Sequence, residues 1–186
     1  MPAVALEHVA LIDCEASSLR EDSYPIEVGW CLANTGEVES HLIVPHDGWH
    51  DWDAEAEAVH GIGRRALLEE GLTVGAVARR MREALGGLAL YADGTRDQRW
   101  IDRLFDAAGL PSLTLGHFDE LLDAIVGSEM GSSGGWLPRE LARARDQSAV
   151  IDEAYARARL SAPPTHRAGA DARHLCEVLH QALALK

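Results

Sequence analysis

The stretch His8-Val9-Ala10-Leu11-Ile12-Asp13-Cys14-Glu15 constrains the chain most, because an apolar, β-forming run ends in two carboxylates one residue apart. Successive side chains of a strand point to opposite faces, so a strand here puts Asp13 and Glu15 on one face and turns Cys14 into packing on the other. Two acids held that close raise each other's proton affinity, and such pairs persist where a cation or a proton is shared. A hard divalent ion is one occupant. An ordinary strand end running into an acidic, solvated turn is the other reading, and the stretch alone does not choose between them.

Beyond this run, Ala16 to Ser23 reads as a polar turn and Pro25 to Ala33 as a second strand. Asn34-Thr35-Gly36 is a hairpin signal, and Val38, Ser40, Leu42 and Val44 mark one face of a third, antiparallel strand with one side wetted. Residues 45 to 63 read as loop, with Pro45, Gly48, Gly61 and Gly63 around acids and tryptophans; His46 and His50 lie there without established ligand spacing. From Thr73, helical periodicity through Val74, Val77, Met81 and Leu85 ends at Gly86-Gly87. Leu88 to Ala92 follows as a fourth strand, then a helix striped by Trp100, Ile101, Leu104 and Phe105, and a fifth strand at Leu113 to Leu115. Phe118 to Val126 reads as a short helix, Gly127 to Gly135 as the flexible candidate, and two helices close the chain, from about Pro138 to Leu160 and Ala170 to Leu185.

This order predicts one α/β domain over residues 1–186, with a meander of three strands plus two more in a mixed five-stranded sheet flanked by helices. The 186 residues suffice for one core, and the 47% hydrophobic and 25% charged fractions are those of a soluble globular protein. No leader or membrane span is read, so a cytoplasmic protein is expected. Cys14, Cys31 and Cys176 are odd in number and lie among apolar residues, which suits buried reduced thiols. A net charge of −13 argues against a broad basic grip on long nucleic acid, yet permits an enzyme that meets a phosphate through metal ions.

Other acids stand at breaks between elements. Asp97 lies where the fourth strand hands over to a helix, and Asp171 opens the last helix, with His166 five residues before it in a loop. Each has a plain reading, as a helix cap for either Asp and a surface histidine for His166. Their order along the chain, strand-end Asp-x-Glu, mid-chain Asp, late His-x-x-x-x-Asp, is itself a pattern.

Ile12-Asp13-Cys14-Glu15, His60-Gly61-Ile62, Asp97-Gln98-Arg99-Trp100-Ile101 and His166-Arg167-Ala168-Gly169-Ala170-Asp171 together resemble the motifs of the DEDDh 3′–5′ exonucleases, the group that includes the proofreading subunit of bacterial replicative polymerase, RNase T and oligoribonuclease. The resemblance runs from about Val4 to Leu183. It implies a ribonuclease-H-like fold in which Asp13, Glu15, Asp97 and Asp171 surround two divalent ions, Mg²⁺ or Mn²⁺. Asp13 would be shared between them, and His166 would take the proton of the attacking water, a role that histidine suits with an ordinary pKa of ~6.5. Ala16, Ser17 and His60 match positions that line the pocket for the terminal nucleotide. Asp93 stands where the family usually has Asn and Arg96 where it has an aromatic, so Asp93 is the alternative fourth acid. Ala16-Ser17-Ser18-Leu19 replaces the usual Thr-Thr-Gly or Met-Thr-Gly after Glu15.

The implied activity is hydrolysis of single-stranded DNA or RNA 3′ ends, or of short oligonucleotides, with release of nucleoside 5′-monophosphates. No membrane partner is implied, and a homodimer stays open. The alternatives are a catalytically degenerate binding module of the same fold and a hydrolase of dinucleotides or free nucleotides.

Overall fold

The computed structural model describes the backbone of residues 5–127 and 139–186 and the side chains of 5–127 and 146–186. Five strands form one mixed sheet in the order β3-β2-β1-β4-β5. After a 3-10 turn at Leu6–His8, β1 (Val9–Ala16), β2 (Pro25–Leu32) and β3 (Val38–Leu42) make an antiparallel meander. β4 (Ala89–Ala92) joins β1 in parallel on its other side, and β5 (Leu115–His117) joins β4 in parallel. The central strand is therefore β1, the run with which the chain opens.

Alternation along β1 sorts the core into two layers. Ala10, Ile12 and Cys14 face one cluster, built with Val77, Met81 and Leu85 of α3 (Val74–Leu85) and Trp100, Ile101, Leu104 and Phe105 of α4 (Asp97–Ala107). Val9 and Leu11 face the other, closed by α5 (Phe118–Gly127), α6 (Arg139–Ser161) and α7 (Ala168–Leu185). Asp13 and Glu15 continue the second face just where its apolar residues stop. Cys14, Cys31 and Cys176 are buried free thiols. Among the described residues, no helix is long and apolar enough to cross a membrane.

Three elements depart from the sequence reading. The stretch taken as loop at 45 to 63 contains α1 (Ala54–His60), and α2 (Arg64–Glu70) follows it. Asp53 caps α1 by accepting the Glu55 N–H at 2.9 Å, and Gly61 ends it in the left-handed region at φ 68°, so this glycine is a helix stop and not a loop marker. β5 starts at Leu115 and not Leu113, because the Gln98 side chain donates to the Leu113 carbonyl and accepts from Leu115 N, which fixes where the ladder begins. Of the glycine- and serine-rich stretch 127–135, all but Gly127 lies outside the described residues.

Candidate metal and active site

The site is assembled at the end of β1 by close backbone approach. Asp13 pairs across the sheet with Gly29 and Glu15 with Glu27. A Cβ on Gly29 would overlap the backbone of Ala168 and Gly169, so the start of α7 rests directly on β2 at the position facing Asp13. Glu27, almost fully buried, holds that helix start: its carboxylate accepts the Ala168 N–H at 3.0 Å and two bonds from the Arg167 guanidinium at 3.0 and 2.8 Å. The loop before α7 then folds onto its own first turn, where Asp171 accepts the N–H of Thr165 at 2.7 Å and of His166 at 3.1 Å. His166 adopts φ 56°, a left-handed backbone that few side chains take without such support. Its ring is exposed over the end of β1.

From the other side, the parallel pairing of β4 with β1 delivers Asp93 and Asp97. Asp97 is the first residue of α4 and is 2% exposed. Its carboxylate does not cap its own helix; it receives hydrogen bonds from the backbone and thiol of Cys14 and from the backbone of Gly94. A Cβ on Gly94 would collide with the Asp97 carboxylate, so any side chain there must displace that acid. Cys14, which packs into the core, thus also ties the α4 acid to β1.

Two triads of ligand-capable groups result, Asp13 with Asp93 and Asp97, and Glu15 with His166 and Asp171, each with its atoms within 4.8 Å of one another. Asp93 and Asp97 therefore both stand beside Asp13, one exposed and one buried. The crowding shows in the proton affinities. Burial, then Asp97, Glu15 and Asp171, push the Asp13 carboxyl well above the usual range. Burial and Asp171 raise Glu15 to about 7, and burial and Asp93 raise Asp97 to about 7. Asp93 is raised as well, chiefly by burial. Clustered oxygen donors that repel one another in this way are the donor set and electrostatics that hard divalent cations take.

A cleft of about 450 Å³ opens beside Glu15, lined by Ala16, Leu19, Arg20, His60, Trp100 and His166 among others. His60 Nδ1 accepts the Ile62 N–H at 3.0 Å, which puts its proton on Nε2, a buried nitrogen with no partner among the described residues. Burial lowers its pKa, keeping the ring neutral at pH 7. Ser17 does not line this cleft. It is fully buried, its hydroxyl donating to Asp51 at 2.8 Å and accepting from Tyr24 N at 3.1 Å, and Ser18 takes its place on the wall. His46 and His50 belong to neither triad. Sequence reasoning missed Glu27 and Arg167; the available signal was one acid inside the apolar strand Pro25-Ile26-Glu27-Val28.

No family model and no curated protein matches the sequence. Solved structures do. A 3′-exonuclease that recognises the 3′ end of a histone mRNA stem-loop aligns over 96% of this chain and 64% of its own, with TM-score 0.62 and 11% identity. Escherichia coli exonuclease I in complex with a dT13 oligonucleotide aligns over 69% of this chain at TM-score 0.52 and 12% identity. The zinc-bound form of the E. coli exonuclease I–ssDNA complex covers 63% at TM-score 0.52 and 13% identity. This chain spans only about a third of the length of exonuclease I, 32% and 29% in the two structures. At such identities the likeness is one of fold: the chain has the mixed α/β, ribonuclease-H-like architecture of these exonucleases.

Proposed function

We propose that the chain is a metal-dependent 3′–5′ exonuclease of the DEDDh type, which hydrolyses the terminal phosphodiester of a single-stranded 3′ end and releases a nucleoside 5′-monophosphate. The carrying observation is convergence: Asp13, Glu15, Asp93, Asp97, His166 and Asp171, from three separate segments of the chain, meet at one sheet end beside a cleft. The exonucleases of like fold support the reaction class, since they act on single-stranded DNA or on an RNA 3′ end.

Asp13, Glu15 and Asp171, with Asp97 or Asp93 as fourth acid, would hold two Mg²⁺ or Mn²⁺ ions. When bound, these supply the positive charge that favours in-line displacement at a phosphodiester. His166 would take the proton of the attacking water on an imidazole nitrogen, from a loop that Asp171 holds over the end of β1. Ala16 and His60 would seat the terminal nucleotide, the neutral His60 donating from Nε2 to an oxygen or ring nitrogen of that nucleotide. The test is incubation of purified protein with Mg²⁺ or Mn²⁺ and 3′- or 5′-labelled DNA and RNA oligonucleotides. Stepwise shortening from the 3′ end, abolished in Asp13→Ala, is expected. Equal traces for both proteins would refute the proposal.

A further inference from the structure

Four arginines distant in sequence form one strip that begins at the mouth of the cleft. Arg20 lines the cleft, and Arg99 of α4 donates to its carbonyl at 3.3 Å. One turn along α4, the Arg103 guanidinium lies 5.8 Å over the Trp49 ring. Arg64 of α2 reaches the same residue, donating to the Trp49 carbonyl at 3.3 Å, and lies 5.9 Å over Trp52. Arg20 is paired, with Asp51 and Asp53. Among the described residues, Arg65, Arg80, Arg157 and Arg167 form ion pairs; Arg79, Arg82, Arg96, Arg159 and Arg173 do not, and neither do Arg64, Arg99 and Arg103 of the strip. Their contacts to carbonyls and tryptophan rings position the guanidiniums without neutralising them.

We infer that this strip carries the phosphate backbone of the substrate strand upstream of its 3′ end. The inference rests on the function proposed above and extends it to a preference for strands longer than a dinucleotide. Three features select a nucleic acid backbone over an acidic polypeptide. The strip is continuous with the cleft, Arg99 and Arg103 repeat at about 6 Å along the helix, and planar guanidiniums match phosphate oxygens bidentately.

The experiment compares wild type with the triple variants Arg64→Gln/Arg99→Gln/Arg103→Gln and Arg64→Lys/Arg99→Lys/Arg103→Lys. Binding of a thymidine decamer is measured in EDTA across a salt series, and turnover of a thymidine dinucleotide in Mn²⁺. Each lost phosphate contact lowers the slope of log K against log salt by about 0.7 for a single strand, so the Gln variant should lose about 2 units of slope and at least ~10-fold in decamer affinity at low salt. Dinucleotide turnover and the thermal midpoint should hold, and the Lys variant should restore most of the slope. An unchanged slope in the Gln variant overturns the inference. So does a parallel loss of dinucleotide turnover, or competition by polyglutamate equal to that of the decamer at equal charge. A wild type that binds the decamer with the expected slope yet cleaves neither substrate would refute the catalytic reading and leave the strip standing.

Discussion

Removing the charge of Asp97 should stabilise the metal-free protein while weakening its response to metal. Asp97 is 2% exposed, and burial with the Asp93 charge moves its carboxyl from 3.8 to about 7. That difference corresponds to about 4 kcal/mol, an upper bound on what the ionised side chain costs the fold. The direction follows from linkage. The folded state holds its proton to higher pH than the unfolded chain, so stability falls as pH rises from about 4 to about 7 and stays low above that. Below pH 4 both states are neutral and the cost vanishes. Asp97→Asn keeps an acceptor for the Cys14 and Gly94 N–H groups and removes the charge. Allowing for hydrogen bonds weakened by the neutral amide, the net gain at pH 8 in EDTA is about 2 kcal/mol, or about 4–8 °C in Tm for a chain of this size.

The assay is thermal and urea unfolding of both proteins at pH 4.5 and 8, each with EDTA and with Mn²⁺. Wild type should gain about 2.7 kcal/mol at a Mn²⁺ concentration 100-fold above Kd, and the variant much less. The order of stability at pH 8 is thereby narrowed or reversed by metal. A variant that is no more stable than wild type at pH 8 in EDTA, or that gains as much at pH 4.5, would show that repulsion among ionised acids is not what the site stores.

His166→Ala should cut turnover by about 10²–10⁴ with Mn²⁺ binding largely kept; calorimetric loss of metal affinity at an unchanged residual rate would make it a ligand instead. Gly29→Ala forces a Cβ into the backbone of Ala168 and Gly169, so α7 must lift from β2; activity should fall on the order of 10²-fold, with a Tm drop of several degrees, and a fully active variant would disprove the close-approach account. Glu27→Gln leaves the half-exposed Arg167 guanidinium with a neutral partner and should cost about 2 kcal/mol in urea unfolding, with a weaker activity loss than Gly29→Ala; a neutral effect would mean that the Ala168 N–H bond alone secures α7.

What could be read from the sequence was what local pattern encodes. The meander followed from alternation, the Asn34-Thr35-Gly36 turn and the apolar strand runs, and α3 and α4 followed from their buried stripes. α1 escaped because its residues, Ala54 to His60, bury little: its one fully buried side chain is His60, so no apolar periodicity marks it and only the Asp53 cap and the Gly61 stop do. The acids of the site were visible as residues at element breaks, but their grouping was not. Asp93 and Asp97 are both within reach of Asp13 because β4 ends beside β1, a fact of strand order that no spacing reports. Glu27 and Arg167 are 140 positions apart, and Arg20, Arg64, Arg99 and Arg103 meet only once α2 and α4 have packed.

The charge balance around β1 bears on why the acids are there. Structural ion-pair networks bring cations with them: Glu39 is met by Arg80, Asp51 and Asp53 by Arg20. At the site, burial is the strongest influence on Asp13, Glu15, Asp93 and Asp97, followed mainly by neighbouring acids, among them Asp171, Glu27 and Asp119, and the nearby guanidinium, Arg167, is committed to Glu27. A fold selected for stability alone would replace such a buried acid by a neutral side chain, since an unpaired buried charge is costly. Here the backbone is instead shaped to retain the acids, with Gly94 cleared for Asp97, Gly29 cleared for the start of α7, and His166 held at positive φ by Asp171. Local features that raise energy without a local return mark sites where the return is functional. The acids at this sheet end are thus left to be balanced by shared protons or by a cation, the two occupants that close carboxylates admit.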